Sequence, residues 1–166
     1  MSPARTGPAG PDPRRIFECL ARHEIDYVVI GGIAVIAHGH TRNTRDVDLV
    51  PSPKARNFVR LATALREMGA RLSGTDAHLL DIDVYDPKTL GNGANFTLET
   101  DAGGLDVFGE VPGAPAYTDL AARAMAVDLG GLEIRIAGLD DLIRMKQASG
   151  RPQDLGDIAA LTALDR

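Results

Sequence analysis

The sequence predicts a single α+β domain in which helices flank a mixed β-sheet, and three observations support this fold class. Short apolar runs of strand type alternate with amphipathic stripes of helical period. Several strand-like segments follow one another closely enough to form hairpins. Neither a linker nor an internal repeat divides the 166 residues, which are enough to bury a sizeable core as one domain.

The composition limits both the core and the classes of partner. Hydrophobic residues make up 44% of the chain, but aromatic residues only 4%, so we expect a core of Leu, Ile, Val and Ala. The net charge of −5 argues against general binding to DNA. No run approaches the ~18 apolar residues of a membrane span, and we expect a cytoplasmic protein with no membrane partner. The single cysteine, Cys19, is predicted to lie on the inner face of the first helix and to pack there as a small apolar side chain.

The chain begins with an irregular segment and then shows clear element boundaries. Residues 1–11 are rich in Pro, Gly and Ala and are predicted to form a disordered lead-in, so the domain is expected over residues 12–166. Asp12 is typical of a helix N-cap. The apolar run at 27–30 predicts a strand, which a Gly-Gly pair ends before a short helix over 33–37.

Further strands and helices are predicted along the rest of the chain. Ser52 and Pro53 are expected to begin a helix that Gly69 ends. Strands are predicted over 47–50, 78–84, 95–100, 105–108 and 132–136. Helices are predicted over 117–123, 139–148 and 153–164.

A Gly-Gly pair and an Asp-x-Asp pair carry the candidate chemistry. Gly31 and Gly32 let the backbone approach a ligand without a Cβ atom in the way, at a helix start whose free N–H groups suit phosphate oxygens. After a spacer of thirteen residues, Asp46 and Asp48 share one face of a predicted strand, roughly 6.5–7 Å apart at the backbone. Such carboxylates repel each other unless a cation lies between them, and their hard oxygen atoms favour Mg²⁺.

A third carboxylate, Asp106, lies on a predicted neighbouring strand after a second Gly-Gly turn. Three carboxylates are typical of sites with two metal ions about 3.5–4 Å apart, which clamp attacking and leaving oxygen atoms. We therefore expect Asp46, Asp48 and Asp106 to hold two Mg²⁺ ions. Asp81 and Asp83 repeat the spacing, but no glycine turn precedes them, and we interpret them as the solvated face of a strand.

These residues resemble the signature of the polymerase-beta-type nucleotidyltransferase superfamily, which is an apolar strand, Gly-Gly or Gly-Ser, a spacer and Asp-x-Asp. More narrowly, the chain resembles small bacterial nucleotidyltransferases related to abortive-infection (AbiEii-type) toxins. The matching residues run from about residue 13 to the end: Gly31-Gly32-x-Ala34, His38-Gly39, Arg42-x-Thr44-x-Asp46-x-Asp48, Gly104-x-Asp106, Asp141-Leu142-Ile143-x-x-Lys146 and Gly150-Arg151-Pro152-x-Asp154-x-x-Asp157.

The resemblance implies a nucleotidyltransferase that moves a nucleoside monophosphate from an NTP to an acceptor hydroxyl and releases pyrophosphate. It implies Mg²⁺ as cofactor and a tRNA 3′ end, a protein or a small molecule as acceptor, with an antitoxin partner in the toxin-type members. Asp46, Asp48 and Asp106 would be catalytic metal ligands, and Gly31 and Gly32 would cradle the β,γ-phosphates. The alternative is a nucleotidyltransferase-fold module that binds nucleotide or protein without turnover.

Polar residues between the two pairs have competing interpretations. Arg42 either pairs with the metal carboxylates or grips a phosphate, whereas Arg45 is interpreted as a surface charge. We assign Arg42 and Thr44 to nucleotide binding. The alternatives for Thr44 are donation of its hydroxyl to a carboxylate and a role in the turn. His38 and His40 lie near a helix end, so packing or capping is the predicted duty rather than metal binding.

Lys146 is predicted to point inward, because it follows apolar residues of its helix at helical spacing. A lysine in such a place must reach solvent or meet an anion. We expect that anion to be a nucleotide phosphate or a structural carboxylate, and we assign Lys146 to nucleotide binding. Asp154 and Asp157 are expected to complement the dipole of the last helix.

Overall fold

The computed structural model describes residues 10–74 and 76–164. Its strands are β1 (Tyr27–Ile30), β2 (Val47–Pro51), β3 (Arg71–Leu72), β4 (Phe96–Thr100), β5 (Gly103–Val107), β6 (Met125–Leu129) and β7 (Leu132–Ile136). Its helices are α1 (Pro13–Arg22), α2 (Gly31–Ala37), α3 (Ala55–Glu67), α4 (Pro87–Leu90), α5 (Tyr117–Ala122), α6 (Leu139–Ser149) and α7 (Pro152–Leu164). Most of the predicted lead-in, residues 1–9, lies outside the described residues, so the domain boundary stays a prediction.

The seven strands form one mixed sheet in the order β3-β4-β5-β2-β1-β7-β6. β2 runs antiparallel to β1 and parallel to β5, and β1 runs parallel to β7. The remaining pairs are antiparallel. Mixed pairing of this kind confirms the predicted α+β class. In the described ranges no helix is long and apolar enough to cross a membrane.

The register of the central strands determines which residues meet at one end of the sheet. Asp48 on β2 is paired with Asp106 on β5 and with Ile30 on β1. Gly31 follows Ile30 directly as the first residue of α2. The two carboxylates and the glycine are therefore brought together by backbone pairing of three adjacent strands.

The core next to this end of the sheet is aliphatic, as the composition predicts, with a few aromatic rings. Val47 and Leu49 are fully buried on β2, on the face opposite to that of Asp48. Asp12 caps α1 by accepting a hydrogen bond from the backbone N–H of Arg14 at 3.2 Å. Cys19 is only 2% exposed, which confirms its predicted place on the inner face of α1.

Three local predictions were wrong. The segment 78–84 forms no strand: a 3₁₀ turn covers Ala77–Leu79, and Asp81 and Asp83 lie in an exposed loop. Ser52 is not a helix cap, because α3 begins at Ala55 and the backbone carbonyl of Ser52 accepts a hydrogen bond from Asn57 instead. The sequence reading also missed β6, an edge strand whose side chains are largely exposed.

Candidate active site

The three predicted aspartates lie at the same end of the sheet, on or directly before its central strands β2 and β5. Asp46 is exposed and directly precedes β2, whereas Asp48 and Asp106 are partly buried on β2 and β5. Strand pairing sets Asp48 beside Asp106. The carboxylate oxygens of the three residues do not all lie within 4.8 Å of one another, so a shared cation would require the exposed Asp46 to turn toward the other two.

Two glycines leave the space that the aspartate side chains occupy. A Cβ atom at Gly31 would overlap the carboxylate of Asp48, and one at Gly104 would overlap the carboxylate of Asp46. Gly31 also has a φ of +70°, a conformation that side-chain-bearing residues rarely adopt. Both glycine pairs therefore serve the carboxylates directly, which spacing alone did not indicate.

A third glycine makes room for the loop between α2 and β2. A Cβ atom at Gly32 would lie 2.5 Å from the hydroxyl oxygen of Thr44 and 3.5 Å from a guanidinium nitrogen of Arg42. Both predicted nucleotide-binding side chains of this loop therefore lie over the first turn of α2.

The electrostatics of the pair show that negative charge is incompletely compensated. Burial, a hydrogen bond with Asp106 and the charges of Asp106 and Asp46 raise the pKa of Asp48 to about 7, against a smaller opposing effect of Lys146. Burial also raises the pKa of Asp106. Oδ1 of Asp106 is buried, and no described residue forms a hydrogen bond with it. Buried carboxylates with an unpartnered oxygen fit a bound divalent cation, whose charge would offset their repulsion.

Lys146 points inward, as predicted, and its ammonium group meets two aspartates of α7. Nζ of Lys146 lies 3.0 Å from Oδ1 of Asp154 and 3.1 Å from Oδ2 of Asp157. The side chains of Asp154 and Asp157 are 1% and 3% exposed. Both aspartates therefore neutralise a buried cation, a stronger role than the expected interaction with the helix dipole.

Two arginines complete this group, which we call the ion-pair cluster. Nη1 of Arg42 lies 2.6 Å from Oδ2 of Asp157, and Nε of Arg151 lies 3.0 Å from Oδ2 of Asp154. Burial acts to raise the pKa of Asp154, but hydrogen bonds from Ser149, Arg151 and Lys146 outweigh it and hold the pKa below its usual range. The cluster ties the loop before β2 to α6 and α7.

The histidines near the glycine pair have structural partners. Nε2 of His38 lies 2.8 Å from the backbone carbonyl oxygen of Ala137, and His38 follows the last residue of α2. This contact confirms a packing and capping role for His38. His40 lies 3.7 Å from Asp157 and so borders the ion-pair cluster.

Two cavities share Asp48 as a lining residue. The first, of about 350 Å³, is polar and is lined by Gly31, Gly32, Thr44, Arg45 and the three aspartates, among others. The second, of about 340 Å³, has mainly apolar walls that include Ile30, Phe108, Val111, Leu142 and Met145. Gly31, Asp48, Lys146 and Arg151 line both. A ligand in either cavity would lie next to Asp48.

Comparison with known protein families identifies the family of the chain. A family model described as "Nucleotidyltransferase of unknown function (DUF6036)" matches residues 15–166. The chain belongs to this nucleotidyltransferase family. No curated protein sequence matches it.

Several solved structures share the fold of this nucleotidyltransferase. The antibiotic-resistance factor ANT(2'')-Ia has a TM-score of 0.59 at 17% identity, covering 91% of this chain and 80% of its own. The lincosamide antibiotic adenylyltransferase LnuA, in a lincomycin-bound structure, has a TM-score of 0.62 at 13% identity, covering 94% and 99%. A nucleotidyltransferase from Thermotoga maritima (TM1012) has a TM-score of 0.51 at 15% identity, covering 92% and 88%. At these identities the likeness is one of fold.

Substituting Gly31 with alanine is expected to reduce the rate of nucleotidyl transfer by at least about 100-fold, because a displacement near 1 Å at a reacting site costs that much. The new Cβ atom must displace the carboxylate of Asp48. Initial rates of pyrophosphate release measure the effect. Gly150→Ala is the matched control, since Gly150 has a similar φ of +64° but its new Cβ atom would meet only the backbone oxygen of Gln147, at 3.9 Å. An equal loss of activity in both variants would show that backbone strain, not the clash with Asp48, is responsible.

The unfolding free energy of the metal-free protein should fall as the pH rises from about 4 to about 7. The folded pKa of Asp48 is near 7 against an ordinary 3.8, so the folded state retains a proton that the unfolded chain releases in this range. The stability that this proton provides is fully present below pH 3.8 and is lost as the pH rises through about 7. Urea unfolding in a chelating buffer measures the slope. Asp48→Asn should flatten it, and an unchanged slope would contradict the shift.

Proposed function

We propose that this nucleotidyltransferase transfers a nucleoside monophosphate from an NTP, such as ATP, to an acceptor hydroxyl in an Mg²⁺-dependent reaction that releases pyrophosphate. The observation that carries the proposal is the pairing of Asp48 with Asp106 beside Gly31, with negative charge that no described side chain fully offsets. The triphosphate would occupy the polar cavity, where backbone, carboxylates and arginines are all within reach.

Asp46, Asp48 and Asp106 would hold the metal, two ions being expected. When bound there, Mg²⁺ supplies positive charge that lowers the cost of the negative charge developing on the phosphoryl oxygens. The buried carboxylates fit this role, because their oxygen atoms are the ligands that Mg²⁺ prefers and one of those oxygens has no protein donor.

The glycines would position the triphosphate. Gly31 and Gly32 form the first turn of α2, whose N–H groups are not used within the helix. The absence of side chains there leaves the polar cavity open next to Asp48. We propose that these backbone donors bind the β,γ-phosphates and align the α-phosphate for attack.

Lys146 and Arg42 would stabilise the departing pyrophosphate by their charge. Both cations line the polar cavity while their contacts with Asp157 hold them in place. Thr44 lies over Gly32 in the same cavity and would contact the phosphates from the loop side. Arg151 was not assigned a role from sequence. It lines both cavities with a side chain that is 69% exposed, and it is a further candidate for phosphate binding.

Asp106 would accept the proton of the attacking hydroxyl. Its pKa is raised by burial, so it is a better base than an ordinary exposed aspartate.

The apolar cavity would hold the second substrate. It shares Gly31 and Asp48 with the polar cavity, so a hydroxyl group bound there would lie next to the triphosphate. Its volume of about 340 Å³ falls in the range of small-ligand sites, roughly 300–1,000 Å³. A small molecule and the terminal nucleotide or side chain of a macromolecule both fit that size.

Mass spectrometry after incubation with mixed NTPs and Mg²⁺ tests the acceptor. Candidate acceptors are tRNA, cellular proteins, aminoglycosides and lincosamides, the last two because the fold-related enzymes are antibiotic-resistance and lincosamide-adenylyltransferase proteins. A nucleotide adduct on tRNA or protein supports a toxin role with an antitoxin partner in the cytoplasm. An adduct on a small molecule excludes that role. Bound NTP without any adduct in any class would favour the non-catalytic module.

A further inference from the structure

A second cluster of metal-ligating side chains lies between α1 and the end of α3, away from the aspartates. Cys19 lies on α1, His23 directly follows that helix, and Glu67 is the last residue of α3. One ligand atom from each of the three lies within 4.8 Å of the others, the one such set in residues 10–74 and 76–164. A sulfur, an imidazole nitrogen and a carboxylate oxygen therefore converge on one point.

The contacts of this cluster meet at a single oxygen atom. Oε2 of Glu67 lies 2.8 Å from Sγ of Cys19, 3.0 Å from Nε2 of His23 and 2.9 Å from Nη2 of Arg22. Cys19 is fixed by burial, whereas the side chains of His23 and Glu67 are 24% and 46% exposed. One ligand is therefore rigid, and the other two are able to adjust.

We propose that Cys19, His23 and Glu67 form a binding site for a divalent transition metal of the Zn²⁺ class, with water as the fourth ligand. The donor set of thiolate, imidazole and carboxylate is the one that Zn²⁺ accepts, whereas Mg²⁺ prefers oxygen ligands alone. Tetrahedral Zn²⁺ with bonds of about 2.0–2.3 Å places its ligand atoms about 3.3–3.6 Å apart. The contacts of Oε2 of Glu67 with Cys19 and His23 would therefore lengthen by less than about 1 Å. The exposed side chains of His23 and Glu67 permit this.

Metal binding exchanges a proton for the ion. Burial and the adjacent Glu67 raise the pKa of the Cys19 thiol to about 12, so the apoprotein keeps the thiol protonated. On binding, the S–H bond breaks, the proton passes to solvent and a sulfur–metal bond forms, with no change of oxidation state. His23 supplies a lone pair of a ring nitrogen.

The surroundings provide a route for the ion. A cavity of about 130 Å³ adjoins the cluster, and its other charged lining residues are Glu18, Asp101, Arg15 and Arg22. Arg22 competes for the same oxygen of Glu67, but its side chain is 58% exposed and can turn into solvent. A bound ion would connect α1 to α3 and so stabilise the face of the domain behind the sheet.

The test is titration with ZnCl₂ by calorimetry, and with CoCl₂ by absorption spectroscopy. The host is the Asp46→Ala/Asp48→Ala variant, so that the aspartates do not contribute. We expect one ion per chain and a sulfur-to-cobalt charge-transfer band. Cys19→Ser should abolish the band. It and His23→Gln should each weaken Zn²⁺ binding by at least about 100-fold, the upper end of the effect of losing an outer-shell partner.

Glu18→Gln is the matched control, because it removes a nearby charge without removing a ligand, and it should retain the cobalt band. Arg22→Ala should tighten binding, since it removes the competitor for Glu67. If Cys19→Ser fails to fold, His23→Gln still tests whether the cluster binds metal, because the side chain of His23 is partly exposed. Unchanged affinity in His23→Gln, or no binding in the host variant, would overturn the proposal without affecting the proposed transferase function.

Discussion

Asp48→Asn is expected to reduce the rate of pyrophosphate release by at least about 1,000-fold, a barrier increase of about 4 kcal/mol. Asparagine keeps the size of the side chain but removes the charge that would hold the metal between β2 and β5. Steady-state rates with Mg²⁺ and an NTP measure the loss. Asp48 is also the residue that the strand register places beside Asp106.

The stability of the same variant separates a catalytic effect from unfolding. Because Asp48 is buried beside like charges and its pKa is raised to about 7, asparagine should stabilise the metal-free protein at pH 7. Asp81→Asn is the matched control, since Asp81 belongs to an Asp-x-Asp pair of equal spacing but lies in an exposed loop. Near-normal activity in Asp48→Asn, or a comparable loss in Asp81→Asn, would contradict the assignment.

Lys146→Met is expected to lower the free energy of unfolding by about 3 kcal/mol, the low end of the range for breaking a buried ion pair. The substitution leaves Asp154 and Asp157 buried without their shared cation. Arg42 and Arg151 still contact them, which is why the low end is expected. Urea unfolding at neutral pH measures the difference.

A double substitution separates structure from phosphate binding at Lys146. Adding Asp154→Asn to Lys146→Met should recover part of the stability, because it removes one of the stranded charges. It should not recover the affinity for NTP if the ammonium group also contacts phosphate. Lys88→Met, at an exposed lysine, is the control. A loss of less than about 1 kcal/mol, the size typical of an exposed pair, would show that the cluster is not a buried ion pair.

The end of the sheet that carries the candidate active site was largely predictable because its signals are local. The period of two along a strand placed Asp46 and Asp48 on one face, and the glycine pair marked the turn beside them. The contact of Gly104 with Asp46 and the register of Asp48 with Asp106 were not predictable. Both depend on the pairing of strands that are distant in sequence.

The partners of Lys146 show where helical periodicity stops being informative. The period of α6 predicted correctly that Lys146 points inward. It did not choose between a phosphate and a carboxylate, because that choice depends on how α7 packs after the turn at Gly150. Asp154 and Asp157 are spaced i,i+3 on α7, so one face of that helix presents both to Lys146.

The misassigned strands have a common cause, which is that side-chain alternation reports burial rather than pairing. Residues 78–84 carry apolar side chains, but the short β3 already covers that edge of the sheet, and Tyr85 instead donates a hydrogen bond to Ala70. β6 pairs fully with β7 while its side chains stay largely exposed. The glycines at 130 and 131 were the available signal for that hairpin.

The most direct measurement follows the α-phosphate of a labelled NTP in the presence of the acceptor and Mg²⁺. The account predicts that the label moves to the acceptor, that pyrophosphate is released in equal amount, and that EDTA or Asp48→Asn stops both. Release of the γ-phosphate alone would contradict it. So would label transfer that persists in EDTA or in Asp48→Asn.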